Sequence, residues 1–165
     1  RDQHKAGKPV DGRIINTTSV SGIYGNPSQT NYGAAKAGIA SFTVIAALEL
    51  ARYGVTANAV APVALTRMTE GLGPPPKTEA DRDMRSPKWI APIVTWLAST
   101  ESKHVTGRVF EASGQILAIA EGWHRGPRHA AVADPTQLGA IVDELLAGAR
   151  ANAGMDGEDR VHHAN

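Results

Sequence analysis

The chain has 165 residues, 42% of them hydrophobic, which suits one domain with a buried core. Its 17 basic and 16 acidic residues give a formal charge of +1, which argues against nucleic acid or a membrane surface as a partner. Cysteine is absent, so disulfides and thiolate metal sites are excluded. The sequence shows no signal peptide and no apolar run of about 18 residues, so we expect a cytoplasmic protein without a membrane span.

The first half of the chain predicts a strand, a polar loop and a long helix. Residues 1–12 are polar and are typical of the end of a helix and its turn into a strand. β-Branched residues predict the strand over residues 13–18, and glycine, proline and asparagine favour a loop over residues 19–31. An alanine-rich stretch predicts a helix over residues 32–53, which Gly54 would terminate.

The second half repeats the alternation of strand and helix. A charged, proline-rich connection over residues 67–86 indicates a lid or mobile segment. Strands alternating with helices predict an α/β fold with a parallel sheet and right-handed crossovers. Residues 116–120 are expected to be extended, and residues 151–165 to be a disordered tail. The further predicted elements are strands over residues 55–61 and 108–112 and helices over residues 87–98 and 136–150.

Three residues near the first strand have side chains suited to acid–base chemistry. Tyr32 and Lys36 are four positions apart, so they share one face of the predicted helix. Ser19 lies at the end of the strand, where ligands bind in open α/β sheets. A phenol has a reference pKa of about 10, and a nearby ammonium favours its ionised form. The alternative is that Tyr32 and Lys36 are an ordinary exposed helical pair and Ser19 a turn residue.

Residues 14–39, IINTTSVSGIYGNPSQTNYGAAKAGI, resemble the short-chain dehydrogenase/reductase superfamily over far more than three residues. The resemblance implies that Ser19, Tyr32 and Lys36 are catalytic. It also implies the C-terminal part of a Rossmann-like three-layer sandwich over residues 1–150. The glycine-rich N-terminal half of that fold is absent, since no G-x-G-x-x-G follows a strand here. The chain begins with Arg1 rather than methionine, so a fragment is expected.

The resemblance further implies a cofactor, a substrate and a partner. The cofactor is NAD or NADP, with contacts from Tyr32, Lys36 and the segment after the second strand. In that segment Pro62 matches the family's Pro-Gly, Val63 replaces the glycine, and Thr66 offers a hydroxyl to the cofactor. A helix-capping role for Thr66 is an open alternative. The helix over residues 32–53 packs against its copy in this family, so a homo-oligomer is expected.

Three further stretches narrow the resemblance to one subgroup. TRMTE (66–70), IAPIVTWLAS (90–99) and GRVFEASGQILA (107–118) are similar to the 3-hydroxyacyl-CoA dehydrogenase modules of multifunctional β-oxidation enzymes. The expected activity is oxidoreduction between a secondary alcohol and a ketone, with a 3-hydroxyacyl-CoA as one possible substrate. The alternative is a catalytically incomplete fragment that acts only as a dimerising or interaction module.

The remaining basic and histidine residues do not indicate a metal site. His162 and His163 have no partners at ligand spacing. A basic cluster could meet a CoA phosphate, but a solvated loop is favoured. That cluster consists of His124, Arg125, Arg128 and His129.

Overall fold

The computed structural model describes residues 2–160 of the chain. By their contacts these residues form two compact units, one that ends at Glu121 and one that begins at Gly122. The division falls inside the predicted domain of residues 1–150, so the helix predicted over residues 136–150 belongs to the second unit. The elements are α1 (Asp2–Lys5), β1 (Gly12–Thr17), α2 (Thr30–Leu50), β2 (Val55–Pro62), α3 (Glu79–Met84), α4 (Ala91–Ala98), β3 (Val109–Ala112), β4 (Leu117–Ala120) and α5 (Leu138–Gly148).

The sheet has the strand order β1-β2-β3-β4, and its first three strands are parallel. The three predicted strands are parallel as expected, and residues 117–120, predicted only as extended chain, add a fourth strand that runs antiparallel to β3. The physical reason is a tight turn at Ser113. Its hydroxyl oxygen accepts bonds from the amides of Gln115 and Ile116, and its amide donates to the Ile116 carbonyl. A turn this short can join only antiparallel strands.

Helices cover both faces of the sheet, which confirms the predicted three layers. Successive strand residues point to opposite faces. In β2, Ala57 accordingly packs with Ala46 and Ala47 of α2, whereas Val60 packs with Leu97 of α4. β1 and β4 are the two edge strands of the described sheet.

The predicted helix boundaries agree with the structure to within a few residues. α2 begins at Thr30, two residues before the predicted start, and continues as one 3-10 turn, Ala51–Tyr53. Gly54 ends it in the left-handed conformation with φ of 71°, where glycine has no Cβ penalty. Short 3-10 turns likewise precede α4 and α5.

α2 and the 3-10 turn after it are together long and apolar enough to cross a membrane, although the sequence predicted no apolar run of that length. The helical stretch Thr30–Tyr53 has a mean hydropathy of 1.5 over its most apolar window. A helix that covers a sheet passes the same test, and Thr43 of α2 is fully buried and bonded to Asn16 of β1. One such helix is weak evidence for a span.

The second unit contains α5 and the start of the predicted tail. In that tail Ala153 and Asp159 form an isolated antiparallel bridge, and Arg150 forms an ion pair with Asp159. Residues 161–165, with His162 and His163, lie outside the described residues. The four residues of the basic cluster are all exposed.

Candidate active site

The predicted catalytic serine is buried at the carboxyl end of β1. Ser19 is 8% exposed, and its Oγ accepts a hydrogen bond of 3.1 Å from the amide of Ser21. A hydroxyl has one donor hydrogen and two lone pairs, so this bond leaves the donor hydrogen for another acceptor. The preceding Thr18 fixes the backbone, because its amide donates to Val60 of β2 and its hydroxyl to the carbonyl of Lys36. The strand end is thereby bonded to both β2 and α2.

A π-helical turn, Ser21–Gly25, holds the serine segment against the start of α2. A Cβ on Gly22 would lie only 2.5 Å from the Ala37 nitrogen, and one on Gly33 would lie 3.1 Å from the Ser21 carbonyl oxygen. The backbones therefore approach too closely for a side chain at position 22. Gly22 fits the predicted loop over residues 19–31 through its turn propensity alone, so the sequence does not reveal this contact.

We expect Gly22→Ala to destabilise the protein, because its methyl group would overlap backbone atoms that cannot rotate away. Overpacking of this kind typically costs about 1–3 kcal/mol. The urea midpoint should fall accordingly. The control is Gly38→Ala in α2, where a Cβ meets nothing within 4 Å and should be neutral or stabilising. Equal midpoints for the two variants would contradict the predicted overlap.

Tyr32 and Lys36 lie in the first two turns of α2, beside the serine segment. The Lys36 ammonium lies 5.7 Å from the centroid of the Tyr32 ring, within the range of a cation–π interaction. It also donates a 3.0 Å hydrogen bond to the carbonyl of Thr17, the last residue of β1. Tyr32 is 44% exposed, so its phenol is accessible. The structure thus brings Ser19, Tyr32 and Lys36 to the same end of the sheet.

The predicted cofactor residues follow β2 at this same end. Pro62 is the last residue of β2, and the Val63 amide donates to the Ala112 carbonyl of β3. Val63 replaces a family glycine without backbone strain, because Ser28 is the one non-glycine residue with positive φ among residues 2–160. Thr66 lies in a turn, with its hydroxyl oxygen 3.3 Å from that of Thr69. The Thr66 side chain caps no α-helix in the described chain.

The expected lid over residues 67–86 contains a helix that the sequence analysis did not predict. α3 is capped by Thr78, whose Oγ1 accepts a 3.0 Å bond from the Asp81 amide. Asp81 in turn accepts from the Lys77 amide and from Arg85, and these bonds hold the pKa of its carboxyl below the usual value. Arg85 also donates to the Pro74 carbonyl, and this bond links the end of α3 to the proline-rich stretch that precedes the helix.

One long-range contact at the site was not detected in the sequence. The Tyr24 hydroxyl, in the π turn, donates to Oε1 of Glu111 in β3. The two residues are 87 positions apart, so no local pattern could reveal the pair.

The family model described as enoyl-(acyl carrier protein) reductase matches residues 3–114, which include this whole site. The chain belongs to the short-chain dehydrogenase/reductase family. It is 40% identical to the hydroxyacyl-CoA dehydrogenase ChsB1 of Mycobacterium tuberculosis, over 90% of this chain and 49% of that protein. It is also 45% identical to a 3-oxoacyl-[acyl-carrier-protein] reductase of Synechocystis, over 67% of this chain and 46% of that protein.

Solved structures of the short-chain dehydrogenase/reductase family agree with this assignment. A short chain dehydrogenase from Mycobacterium avium is 45% identical and superposes with a TM-score of 0.79, over 93% of this chain and 49% of that one. The chain therefore spans about half the length of each of these three relatives.

Proposed function

We propose that this chain carries the reacting residues of an NAD(P)-dependent oxidoreductase that interconverts a secondary alcohol and a ketone. The observation that carries the proposal is the placement of the Lys36 ammonium 5.7 Å from the Tyr32 ring, at the strand end that holds Ser19. This arrangement supplies a proton-exchanging phenol, a cation that stabilises its ionised form and a hydroxyl that can orient a substrate oxygen.

Each residue has a distinct part in the proposed reaction. When an alcohol is oxidised, the Tyr32 phenolate accepts the hydroxyl proton, and when a ketone is reduced, the phenol returns it. Ser19 donates a hydrogen bond to the same substrate oxygen. Lys36 stabilises the phenolate. The nicotinamide cofactor, when bound, exchanges a hydride with the substrate carbon.

The described residues fit one end of a nicotinamide cofactor. The exposed Tyr32 and the Lys36 ammonium would contact the nicotinamide ribose, and Pro62, Val63 and Thr66 lie at the same strand ends. The sequence contains no G-x-G-x-x-G motif, which is the usual cradle for the pyrophosphate in this kind of fold. We propose NAD or NADP as the cofactor, without preference between them.

We propose an acyl thioester as the substrate, with 3-hydroxyacyl-CoA as the first choice. The support is that the Mycobacterium tuberculosis relative is named a hydroxyacyl-CoA dehydrogenase. A Neurospora crassa relative, 37% identical over 79% of this chain and 14% of that protein, is named a peroxisomal hydratase-dehydrogenase-epimerase. A cytoplasmic location is proposed, in keeping with the sequence expectation.

The experiment that tests the proposed function is a turnover assay on a chimera. In this chimera the chain follows the part of the Mycobacterium avium short chain dehydrogenase that precedes the matched region. NAD or NADP and a 3-hydroxyacyl thioester are supplied, and the chimera is compared with its Tyr32→Phe variant.

The second candidate function is a dimerising module, and one observation favours it. α2 exposes a row of large apolar side chains, with Phe42 56%, Ile45 51% and Leu48 76% accessible. Apolar rows of this kind mark contact surfaces, and a second copy of α2 would cover them. The same surface would also make the oxidoreductase a homo-oligomer, so the two candidates are compatible.

We expect Phe42→Lys to shift the chain from an oligomer toward a monomer in sedimentation velocity, because a buried lysine charge opposes association. The control is Leu146→Lys in α5, which places the same charge at a residue that is 66% exposed and outside α2. An unchanged assembly state for Phe42→Lys, or an equal shift for both variants, would place the interface elsewhere.

A further inference from the structure

Beside the proposed active site, a hydrogen bond joins the segment that follows β1 to β3, across the intervening strand β2. The Tyr24 hydroxyl in the π turn after β1 donates to the carboxylate of Glu111 in β3. β2 lies between these strands, and the neighbour of Glu111 on β2 is the fully buried Ala61. The bond therefore ties the segment that follows β1 to a strand two positions away.

Small side chains on β2 give the tyrosine room to cross. Ala59 and Ala61 both have 0% exposure and point to the same face of the sheet as Glu111. Ala61 is the residue in register with Glu111, so its small side chain leaves room beside the carboxylate. A phenol that donates to a carboxylate forms a charge-assisted bond, roughly twice as strong as a neutral one.

The π turn, which this bond holds in place, contacts both Ser19 and the helix α2 that carries Tyr32 and Lys36. On one side, the Ser21 amide donates to Ser19 Oγ. On the other side, Gly22 lies directly on the backbone of Lys36, where a Cβ would come within 2.7 Å. A displacement of the turn would therefore move Ser19 relative to the helix that carries Tyr32 and Lys36.

We propose that Tyr24 and Glu111 are positioning residues, whose hydrogen bond fixes the π turn so that Ser19 and Tyr32 address the same substrate oxygen. This inference rests on the proposed function. Neither residue belongs to the Ser and Tyr-x-x-x-Lys signature, and neither is assigned contact with the reacting atoms. Their effect is on kcat, through the orientation of Ser19.

The test uses Tyr24→Phe, Glu111→Leu and Glu111→Gln in the chimera with the Mycobacterium avium segment. Small displacements of reacting groups can cost up to about 100-fold in rate, and we expect kcat to fall about 10-fold for Tyr24→Phe and Glu111→Leu, with KM little changed. Glu111→Gln keeps an acceptor oxygen and should retain most of the rate. The double variant Tyr24→Phe/Glu111→Leu should be no slower than either single variant, because each single variant already removes the bond between the two residues.

The matched control is Tyr53→Phe, which removes the same hydroxyl at the other end of α2. The Tyr53 ring contacts His4 edge-on and lies beside Arg52, away from the π turn. Its kcat should equal that of the parent. Wild-type kcat for Tyr24→Phe, or additive losses in the double variant, would overturn the positioning role.

Two further measurements separate positioning from folding and from the proposed function itself. The folded fraction is measured by near-ultraviolet circular dichroism, and an unchanged kcat per folded molecule would also overturn the role. Full turnover by Tyr32→Phe would defeat the proposed function, whereas an inactive Tyr32→Phe beside a fully active Tyr24→Phe would defeat the positioning role alone.

If the chimera does not fold, hydrogen exchange on the chain itself decides. Tyr24→Phe and Glu111→Leu should accelerate amide exchange in the π turn, Ser21–Gly25, relative to α5. Unchanged exchange in the π turn would overturn the proposal.

Discussion

The chain alone is expected to show negligible dehydrogenase activity and only weak binding of NAD and NADP. Its residues include the proposed reacting groups, but its sequence has no G-x-G-x-x-G motif of the kind on which a pyrophosphate rests in open α/β sheets. Since that cradle supplies much of the cofactor's binding, Ser19, Tyr32 and Lys36 would have no hydride donor or acceptor held beside them.

The structure also predicts that the isolated chain is poorly stable or self-associates. β1 and β4 are edge strands, and exposed edges present unpaired amide and carbonyl groups to other chains. β4 adds exposed apolar side chains, with Leu117 67% and Ile119 50% accessible.

Calorimetric titration with NAD and NADP, beside a turnover assay on a 3-hydroxyacyl thioester, tests the expectation. The chimera with the Mycobacterium avium segment is the control, and it should bind cofactor and turn over. Micromolar affinity together with steady turnover by the chain alone would show that it needs no added segment to bind the cofactor and react.

In the chimera, Tyr32→Phe should lower kcat by about 10²–10⁴-fold, the usual contribution of general acid–base catalysis. The variant loses one hydroxyl and keeps the aromatic ring beside Lys36. Cofactor affinity should therefore change little. Steady-state kinetics and cofactor titration measure the two effects separately.

Tyr53→Phe is the matched control for this variant as well, since it deletes a phenol hydroxyl outside the site. Its kcat should equal that of the parent chimera. Parent-like turnover by Tyr32→Phe would remove Tyr32 from the mechanism, and a large loss of cofactor affinity would make cofactor binding its main part.

The sequence was sufficient for the elements whose cause is local. The β-branched run predicted β1 to within one residue at each end, and Gly54 marked the end of the helical stretch because the left-handed conformation there favours glycine. The positions of Ser19, Tyr32 and Lys36 at one strand end also follow from chain order.

Other features depend on contacts that no local pattern carries. The alternation of large residues and alanine in β4 predicts extended chain but not the direction of the strand. That direction results from the hydrogen bonds of Ser113. α3 had a detectable cue, since Thr78 precedes Asp81 at capping distance, but the prolines nearby favoured a loop. The pairing of Tyr24 with Glu111 required the strand order itself.

The site's contacts differ greatly in how far they reach along the chain. The bond from Thr18 to the Lys36 carbonyl closes a loop of 18 positions, whereas the bond from Tyr24 to Glu111 closes one of 87. Closing the longer loop costs roughly 1.4 kcal/mol more in chain entropy. During folding, the serine segment and α2 can therefore meet before β3 is in place, and the Tyr24 bond forms only after β3 joins the sheet.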